Sequence, residues 1–436
     1  MKLPNLSLVV LGICCFGMVL STHAEEALWR DVIVGDKKMG RIQRLAETPN
    51  RRDLEVDLPA LNQLIQEGMS SPSVAFLLSL PSPDGGFQDF EFQASKVMNA
   101  ALAAKYPNIQ AFTGQSVDRR SIPAQLEVTA QGVSAQILEP GNRWMIDPSD
   151  RSSTDRVVSY FARDLDRSAN SFQCLVSDEK HDPTAYLRNR NQFKKPLSSS
   201  KDRQARSRGS QVRTYRLAVA TTGEYGAYHG GTTEEALSAV VRTINRVDGV
   251  FRVELSVGLQ LIGNNDVIVY TDPDTDPFEG NDNSNLLIDE SQSVITDNIG
   301  SENFDLGHTF STGAGGVAST GPCDDDTKAR GITGLSSPEG DKYDVDYVAH
   351  EIGHQLSMNH TFNGVAGNCG DNRAGTAAFE PGAGSTIMGY AGNCSSDNIQ
   401  DRSDAIFHSY SFEQAADFLE SGGGANCGTV ESSGNV

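Results

Sequence analysis

The chain has 436 residues, enough for two or three domains with sizeable cores, and its formal net charge at pH 7 is −21. Residues 1–210 hold 26 Lys and Arg against 24 Asp and Glu, whereas residues 211–436 hold 10 against 33. The acidic C-terminal half argues against nucleic acid and anionic membranes as partners, because both require a positive surface.

The first 24 residues have the pattern of a secretory signal peptide. Lys2 precedes an apolar run from Leu8 to Leu20, and small residues up to Ala24 form a cleavage site. The run is too short for a stable membrane span, and no later segment is long and apolar enough to be one. We therefore expect an exported protein without membrane insertion, either secreted or periplasmic.

Residues 25–185 are predicted to be rich in β-strands. The stretch "SVAFLLSLPSPDGGFQDFEFQAS" places two apolar or alternating runs around Pro-Asp-Gly-Gly, which is a hairpin signal. Residues 186–212 are basic, rich in serine and without periodicity, and they are predicted to be an exposed linker. Two interpretations of Arg206 and Arg208 remain open, a processing site and an uncut solvated segment.

Residues 213–427 alternate between strand and helix patterns. Thr232 and Glu235 form a capping box ahead of an apolar helical face. The other predicted elements are strands at 215–221, 253–261 and 304–310 and a helix around 283–299. This alternation predicts an α/β (α+β) domain with a mixed sheet and one long cleft, followed by a polar tail at 428–436.

The stretch "HEIGHQLSMNH" is the strongest chemical signal in the chain. Asp344 or Asp346 is predicted to cap a helix on which His350 and His354, four residues apart, reach the same metal ion. Glu351 lies one step round that helix, where it can hold a water molecule and accept its proton.

A third ligand is predicted at His360, past the point where this helix should end. Three neutral imidazoles leave one coordination position open, which is typical of a catalytic zinc site rather than a structural one. The competing interpretation, a solvated helix rich in histidine, requires this spacing to arise by chance.

These residues resemble the HExxHxxGxxH motif of the metzincin metallopeptidases, and "STIMGYAG" resembles their Met-turn, with Met388 as its methionine. Residues from about 213 to 425 resemble secreted bacterial reprolysin-like (adamalysin-like) proteases. The resemblance is carried by "YRLAVATTGEY", "NNDVIVYTD", "GHTFSTGAGGVA", "ARGITG" and "VDYVAHEIGHQ". It implies a twisted mixed sheet with an active-site helix, and a β-rich pro-domain ahead of it.

Three positions depart from the family pattern. Ser357 replaces the glycine of the motif, and a left-handed serine costs on the order of 1 kcal/mol. Thr361 stands where typical reprolysins have aspartate. Tyr390 stands where they usually have proline, and two roles remain open for it: an oxyanion or fifth metal ligand, and packing beneath the site.

The expected protein is a zinc metalloendopeptidase made as a latent proenzyme and acting as a monomer on proteins or peptides. One zinc ion polarises the scissile carbonyl, and Glu351 passes the proton of water to the leaving amine. The alternative is a catalytically silent zinc-containing binding protein of the same fold. The resemblance points to "GAGGVAS" as the edge strand for substrate, with a flexible loop as the other interpretation.

Five cysteines lie outside the signal peptide. Cys174 precedes the linker, and its thiolate is a candidate zinc ligand that keeps the enzyme latent; a free buried thiol and a covalent dimer are the alternatives. The other four allow three pairings. The family resemblance favours Cys323–Cys427 and Cys369–Cys394.

Asp272, Asp274 and Asp276 form a candidate calcium site. Their alternation is similar to a calcium loop, but the glycine and the terminal glutamate of an EF-hand are missing. A solvated acidic loop is the competing interpretation.

Overall fold

The computed structural model describes residues 28–32, 48, 50–69, 74–151, 153–165, 174, 176, 210–313 and 315–433 of the chain. The predicted signal peptide, most of the predicted linker, and Arg206 and Arg208 within it lie outside these residues. Among the helices that are described, none combines the length and apolarity of a bilayer span.

Within the described residues, the N-terminal sheet has nine antiparallel strands in the order β1-β2-β9-β8-β7-β6-β5-β4-β3. The strands are β1 Trp29–Asp31, β2 Arg51–Val56, β3 Phe76–Pro81, β4 Phe87–Ala94, β5 Gln110–Ser116, β6 Pro123–Thr129, β7 Gly132–Ile137, β8 Trp144–Pro148 and β9 Arg156–Phe161. The helices α1 Leu58–Gly68 and α2 Ala100–Lys105 accompany them. The predicted hairpin is present: β3 pairs with β4, and Gly85 and Gly86 adopt the left-handed backbone that its turn requires.

The C-terminal sheet is mixed, with the order β11-β10-β12-β14-β13 and with β15 also pairing with β10. Its strands are β10 Gln211–Thr221, β11 Val257–Leu261, β12 Leu306–Ser311, β13 Gly316–Ala318, β14 Gly331–Gly334 and β15 Thr429–Ser432. Neighbouring strands run parallel, except that β13 and β15 are antiparallel to their partners. The fold is therefore mixed α/β with a β-rich region in front, as predicted.

Five α-helices and one π-helical segment accompany this sheet in the described part of the chain. They are α3 Gly223–Tyr228, α4 Thr233–Leu255, α5 Ser284–Ile299, the π-helical segment Lys342–Ala349, α6 His350–Gln355 and α7 Ser409–Ser421. The capping box of α4 is formed, since the hydroxyl of Thr232 accepts a hydrogen bond from the Glu235 amide and donates one to the Glu235 carboxylate.

Two local predictions were wrong. Residues 253–255 belong to α4 rather than to a strand, because the helix continues to Ser256, whose left-handed backbone ends it. Neither Asp344 nor Asp346 caps a helix, because both are buried inside the helical segment. Asp344 instead accepts hydrogen bonds from Thr243 and Arg246 of α4.

Helix α4 is buried between the two sheets, and some of its polar side chains form pairs across that interface. The Arg246 guanidinium, 1% exposed, forms ion pairs with Asp147 of β8 at 2.5 Å and with Asp344 at 3.0 Å. Backbone hydrogen bonds also join Leu261 of β11 to Val97 and Asn99. The N-terminal region thus extends the edge of the C-terminal sheet and shares its core.

Glu127 of β6 is a buried carboxyl at this interface and provides a pH-dependent test of it. Asn245 donates a hydrogen bond to its Oε1 at 2.6 Å. Burial raises the pKa of Glu127 to about 7, and the positive charge of Arg246 opposes this only in part. The folded state therefore binds a proton at pH values where the unfolded chain, with a pKa near 4.5, has released it.

We expect the contribution of Glu127 to stability to be fully present below about pH 4.5 and to be lost as pH rises through about 7. The loss should be about 3 kcal/mol, since one pKa unit corresponds to about 1.4 kcal/mol. Urea unfolding of the wild type and of Glu127→Gln between pH 4.5 and 8 measures it, with exposed Glu67→Gln as control. A stability difference that does not change with pH would contradict the prediction.

Candidate metal centre

Two histidines lie on one face of a short helix. His350 begins α6 and His354 lies one turn later, so both rings face the same point. The helix ends at Gln355, and Ser357 takes a left-handed backbone with φ of 72°. This turn brings His360 back to the other two, so the motif geometry forms with serine in place of glycine.

The ring nitrogens of the three histidines converge. The Nε2 atom of His354 lies 3.1 Å from that of His350 and 3.0 Å from that of His360. All three side chains are buried. Each ring donates its Nδ1–H to a backbone carbonyl: His350 to Ile387 at 2.7 Å, His354 to Met358 at 2.8 Å, and His360 to Asn372 at 2.7 Å.

These three hydrogen bonds determine the protonation of the neutral rings. A neutral imidazole that donates from Nδ1 carries its lone pair on Nε2, so three lone pairs point at one another. That arrangement is repulsive by itself and suits a cation at its centre. The nitrogens of tetrahedral zinc ligands are separated by about 3.3 Å, close to the distances found here. The donor set therefore fits a zinc ion.

Glu351 lies beside this cluster and is fully buried. Neither of its carboxylate oxygens has a nitrogen or oxygen donor among the described residues. Burial raises its pKa to about 8, and the thiol of Cys174 is the neighbour that lowers it. A buried carboxylate without donors is costly, so this group is held ready for a proton, a water molecule or a cation.

Cys174 completes the cluster. Its Sγ lies 3.7 Å from Nε2 of His354 and 3.6 Å from Nε2 of His360. The four donor atoms of Cys174, His350, His354 and His360 all lie within 4.8 Å of one another. The backbone at Cys174 also forms an isolated parallel bridge with Gly316 of β13. The structure thus brings a residue from before the linker onto the histidines.

Tyr390 and Met388 line the other side of the cluster. The Tyr390 ring packs on His360 with centroids 4.7 Å apart, and its hydroxyl donates to the carbonyl of Cys174 at 3.3 Å. Met388 is buried, and its sulfur leaves no room for a side chain at Gly353 of α6. Tyr390 thus lies beside the imidazole of His360, and Met388 lies against the helix that carries His350 and His354.

The remaining candidates lie elsewhere. Cys323 is disulfide-bonded to Cys427, and Cys369 to Cys394, the pairing that the resemblance implies. Two disulfides are typical of an oxidising compartment. Cys174 is buried and forms no disulfide.

The structure gives the calcium hypothesis no support. Asp272 accepts hydrogen bonds from the backbone amide of Asp274 and from the Thr275 hydroxyl, and Asp276 accepts one from the backbone amide of Gly223. These carboxylates do not converge into a cation cluster in the described part of the chain. Their hydrogen bonds fit a loop that is ordered by its own backbone.

Sequence reasoning missed the groups that support the site. The carbonyls of Ile387, Met358 and Asn372 orient the rings, and a carbonyl carries no residue-type signal. It also missed Glu380, a buried carboxylate among the loops behind His360. An acidic residue in an otherwise small and apolar stretch was the only available sign.

The chain is similar to known metallopeptidases in part of its sequence and, distantly, in its fold. Residues 211–416 match the model of the "Metallo-peptidase family M12B Reprolysin-like". The chain is also similar in shape to a crystal structure of metalloproteinase-II from Bacteroides fragilis, at 7% identity and a TM-score of 0.43. That match covers 82% of this chain and 94% of the other, and it is too distant to inform function. No curated protein matches the chain.

Proposed function

We propose, from the match of residues 211–416 to the model of the reprolysin-like metallopeptidases of family M12B, that the chain is the latent precursor of a secreted zinc endopeptidase. The observation that carries the proposal is the convergence of three imidazole lone pairs beside a buried Glu351, whose carboxylate has no nitrogen or oxygen donor among the described residues. This is the set of groups that hydrolysis of a peptide bond at a metal requires.

His350, His354 and His360 would hold the zinc ion through Nε2. When bound there, zinc supplies a Lewis acid that polarises the scissile carbonyl and allows water to lose a proton near neutral pH. Glu351 accepts that proton and delivers it to the leaving nitrogen, and burial strengthens its interaction with the developing charges. Met388 packs against Gly353 of the helix that carries His350 and His354, and Tyr390 flanks His360.

Strand β13 is the proposed binding edge for substrate. It lies at the end of the sheet order, and its antiparallel partner β14 occupies one of its sides. The bridge between Cys174 and Gly316 supports an extended chain on the other side. An extended peptide substrate could pair with the same edge once the Cys174 segment has left.

Latency is proposed to depend on Cys174. Its sulfur lies against two of the three imidazoles, in the space where water and substrate must enter. Residues 25–185 would then act as a pro-domain and residues 186–212 as a linker, with the protease domain at 213–427. Cleavage in the linker near Arg206 or Arg208, after export directed by residues 1–24, would permit the Cys174 segment to leave.

Metal dependence tests the function directly. The full chain is cleaved in its linker with trypsin, the trypsin is inhibited, and hydrolysis of unfolded casein is measured before and after removal of zinc with a chelator. We expect activity to fall to background and to return with about one equivalent of Zn²⁺ but not with Mg²⁺, since three imidazoles suit zinc and Mg²⁺ prefers oxygen ligands.

Two results would contradict this proposal. Activity that survives complete removal of zinc would place the hydrolysis elsewhere. A cleaved chain that binds one zinc ion but hydrolyses neither casein nor short peptides would instead support a silent zinc-containing binding protein of the same fold.

A further inference from the structure

Glu380 is a buried carboxylate that none of the preceding steps uses. It is 5% exposed. Its Oε1 accepts hydrogen bonds from the backbone amides of Ser385 at 2.8 Å and Thr386 at 3.1 Å. Its Oε2 accepts from the hydroxyls of Thr361 and of Thr386, the latter at 2.6 Å. One side chain therefore holds two separate segments together.

The first segment carries His360. Thr361 follows this histidine directly, so the hydrogen bond from its hydroxyl to Glu380 restrains the backbone next to the imidazole. The main chain adds to the restraint, because the amide of Glu380 donates to the carbonyl of Thr361 at 2.8 Å. Phe362 and Glu380 also form an isolated bridge. The position of His360 is thus coupled to that of Glu380.

The second segment orients His350. Thr386, held by Glu380 through both its amide and its hydroxyl, precedes Ile387. The carbonyl of Ile387 is the acceptor for Nδ1–H of His350 at 2.7 Å. A shift of this turn would rotate the His350 ring away from the common centre, since the orientation of the ring follows its hydrogen-bond partner.

Glu380 is also in the charge state that such a role requires. Burial by itself would raise its pKa, but the hydrogen bonds from Ser385, Thr361 and Thr386 outweigh burial and hold the pKa below the usual value. The carboxylate is therefore charged at neutral pH. Hydrogen bonds to a charged acceptor are about twice as strong as neutral ones, so the link is a stiff one.

We propose that Glu380 is a positioning residue of the metal centre, which sets the spacing of two imidazoles by joining the segment after His360 to the turn that orients His350. The inference rests on the proposed function, because it takes both histidines as zinc ligands. Glu380 does not contact the metal or the substrate; it acts through the two segments that it connects.

The test is the zinc affinity of the full-length protein, measured by competition with a chelator well below the unfolding temperature. Glu380→Gln keeps the shape of the side chain but replaces one acceptor with a donor facing two hydroxyls. We expect this variant to bind zinc about 10-fold more weakly, and Glu380→Ala up to about 100-fold, the range typical of groups that orient metal ligands. Thr361→Val removes one hydroxyl only and should cause a smaller loss in the same direction.

Asp305→Asn is the matched control. Asp305 is 3% exposed and accepts hydrogen bonds from the amide and guanidinium of Arg216, away from the histidines. Its replacement should lower the unfolding temperature and leave zinc affinity unchanged. If the Glu380 variants also lose only stability, and Thr361→Val binds zinc as the wild type does, the positioning role is refuted.

The same data separate this inference from the proposed function. Tight zinc binding by the wild type with unchanged affinity in the Glu380 variants overturns the inference alone. A wild-type chain that binds no zinc overturns both. A chain that shows the graded loss of zinc affinity but never hydrolyses peptide overturns the proposed activity and supports the positioning role.

Discussion

Replacement of Glu351 by glutamine is expected to lower peptide hydrolysis by the activated protein by about 10²–10⁴-fold, the usual contribution of a general base. Glutamine has nearly the same size but cannot accept a proton from water. Glu351 is fully buried, and it is the only carboxyl in the stretch from His350 to His360. The initial rate of hydrolysis of a fluorogenic peptide, at matched zinc occupancy, measures the effect.

Glu127→Gln is the control for this substitution. Glu127 is also a fully buried carboxyl with a raised pKa, but it lies on the N-terminal sheet and faces α4 rather than the histidines. We expect its replacement to leave the rate unchanged after the linker has been cut. If both variants retain wild-type activity, Glu351 is not the base. If both lose it, the effect of each is one of folding.

Replacement of Cys174 by alanine is expected to release activity in the uncut full-length protein, by about 10-fold or more. The thiol is attached to the same chain as the histidines, and such tethering gives effective concentrations in the millimolar range, so it competes strongly with water and substrate. Its removal abolishes a ligand without altering the three imidazoles. Peptide hydrolysis by the uncut wild type and variant, assayed in parallel, gives the ratio.

Val176→Ala separates the thiol from the rest of its segment. Val176 is buried two residues further along and contributes packing but no ligand. The Val176→Ala substitution should increase the activity of the uncut protein far less than Cys174→Ala does. Should the alanine variant at position 174 stay silent until the linker is cut, latency would depend on the backbone bridge between position 174 and Gly316 and not on the sulfur.

The sequence predicted the centre of the site because that part depends on local geometry. His350, Glu351 and His354 lie within five residues on one helix, where the spacing alone determines which side chains meet. His360 was predictable because a left-handed turn at Ser357 is enough to bring it back. The strand-rich first half and the hairpin before β4 were also visible, since alternation and turn residues are local signals.

The rest depends on contacts between distant parts of the chain. The end of α4 was misplaced because Val253 and Leu255 alternate like a strand, while the left-handed Ser256 that ends the helix has no sequence signature. The sequence around Asp344 is typical of a helix cap. Its actual partner, the Arg246 guanidinium 3.0 Å away, comes from a distant part of the chain. Glu380 could not be recognised, because its partners follow or precede it by up to 19 residues.

The use of backbone carbonyls to orient all three imidazoles has a consequence for how this site can change during evolution. Any residue at positions 358, 372 and 387 offers the same carbonyl, so the orientation of the rings constrains the path of the chain at these positions and leaves the identity of the side chains to packing. Selection for metal chemistry would then act on loop length and loop shape. At these three positions, the distances between segments would matter for metal chemistry and the type of residue would not.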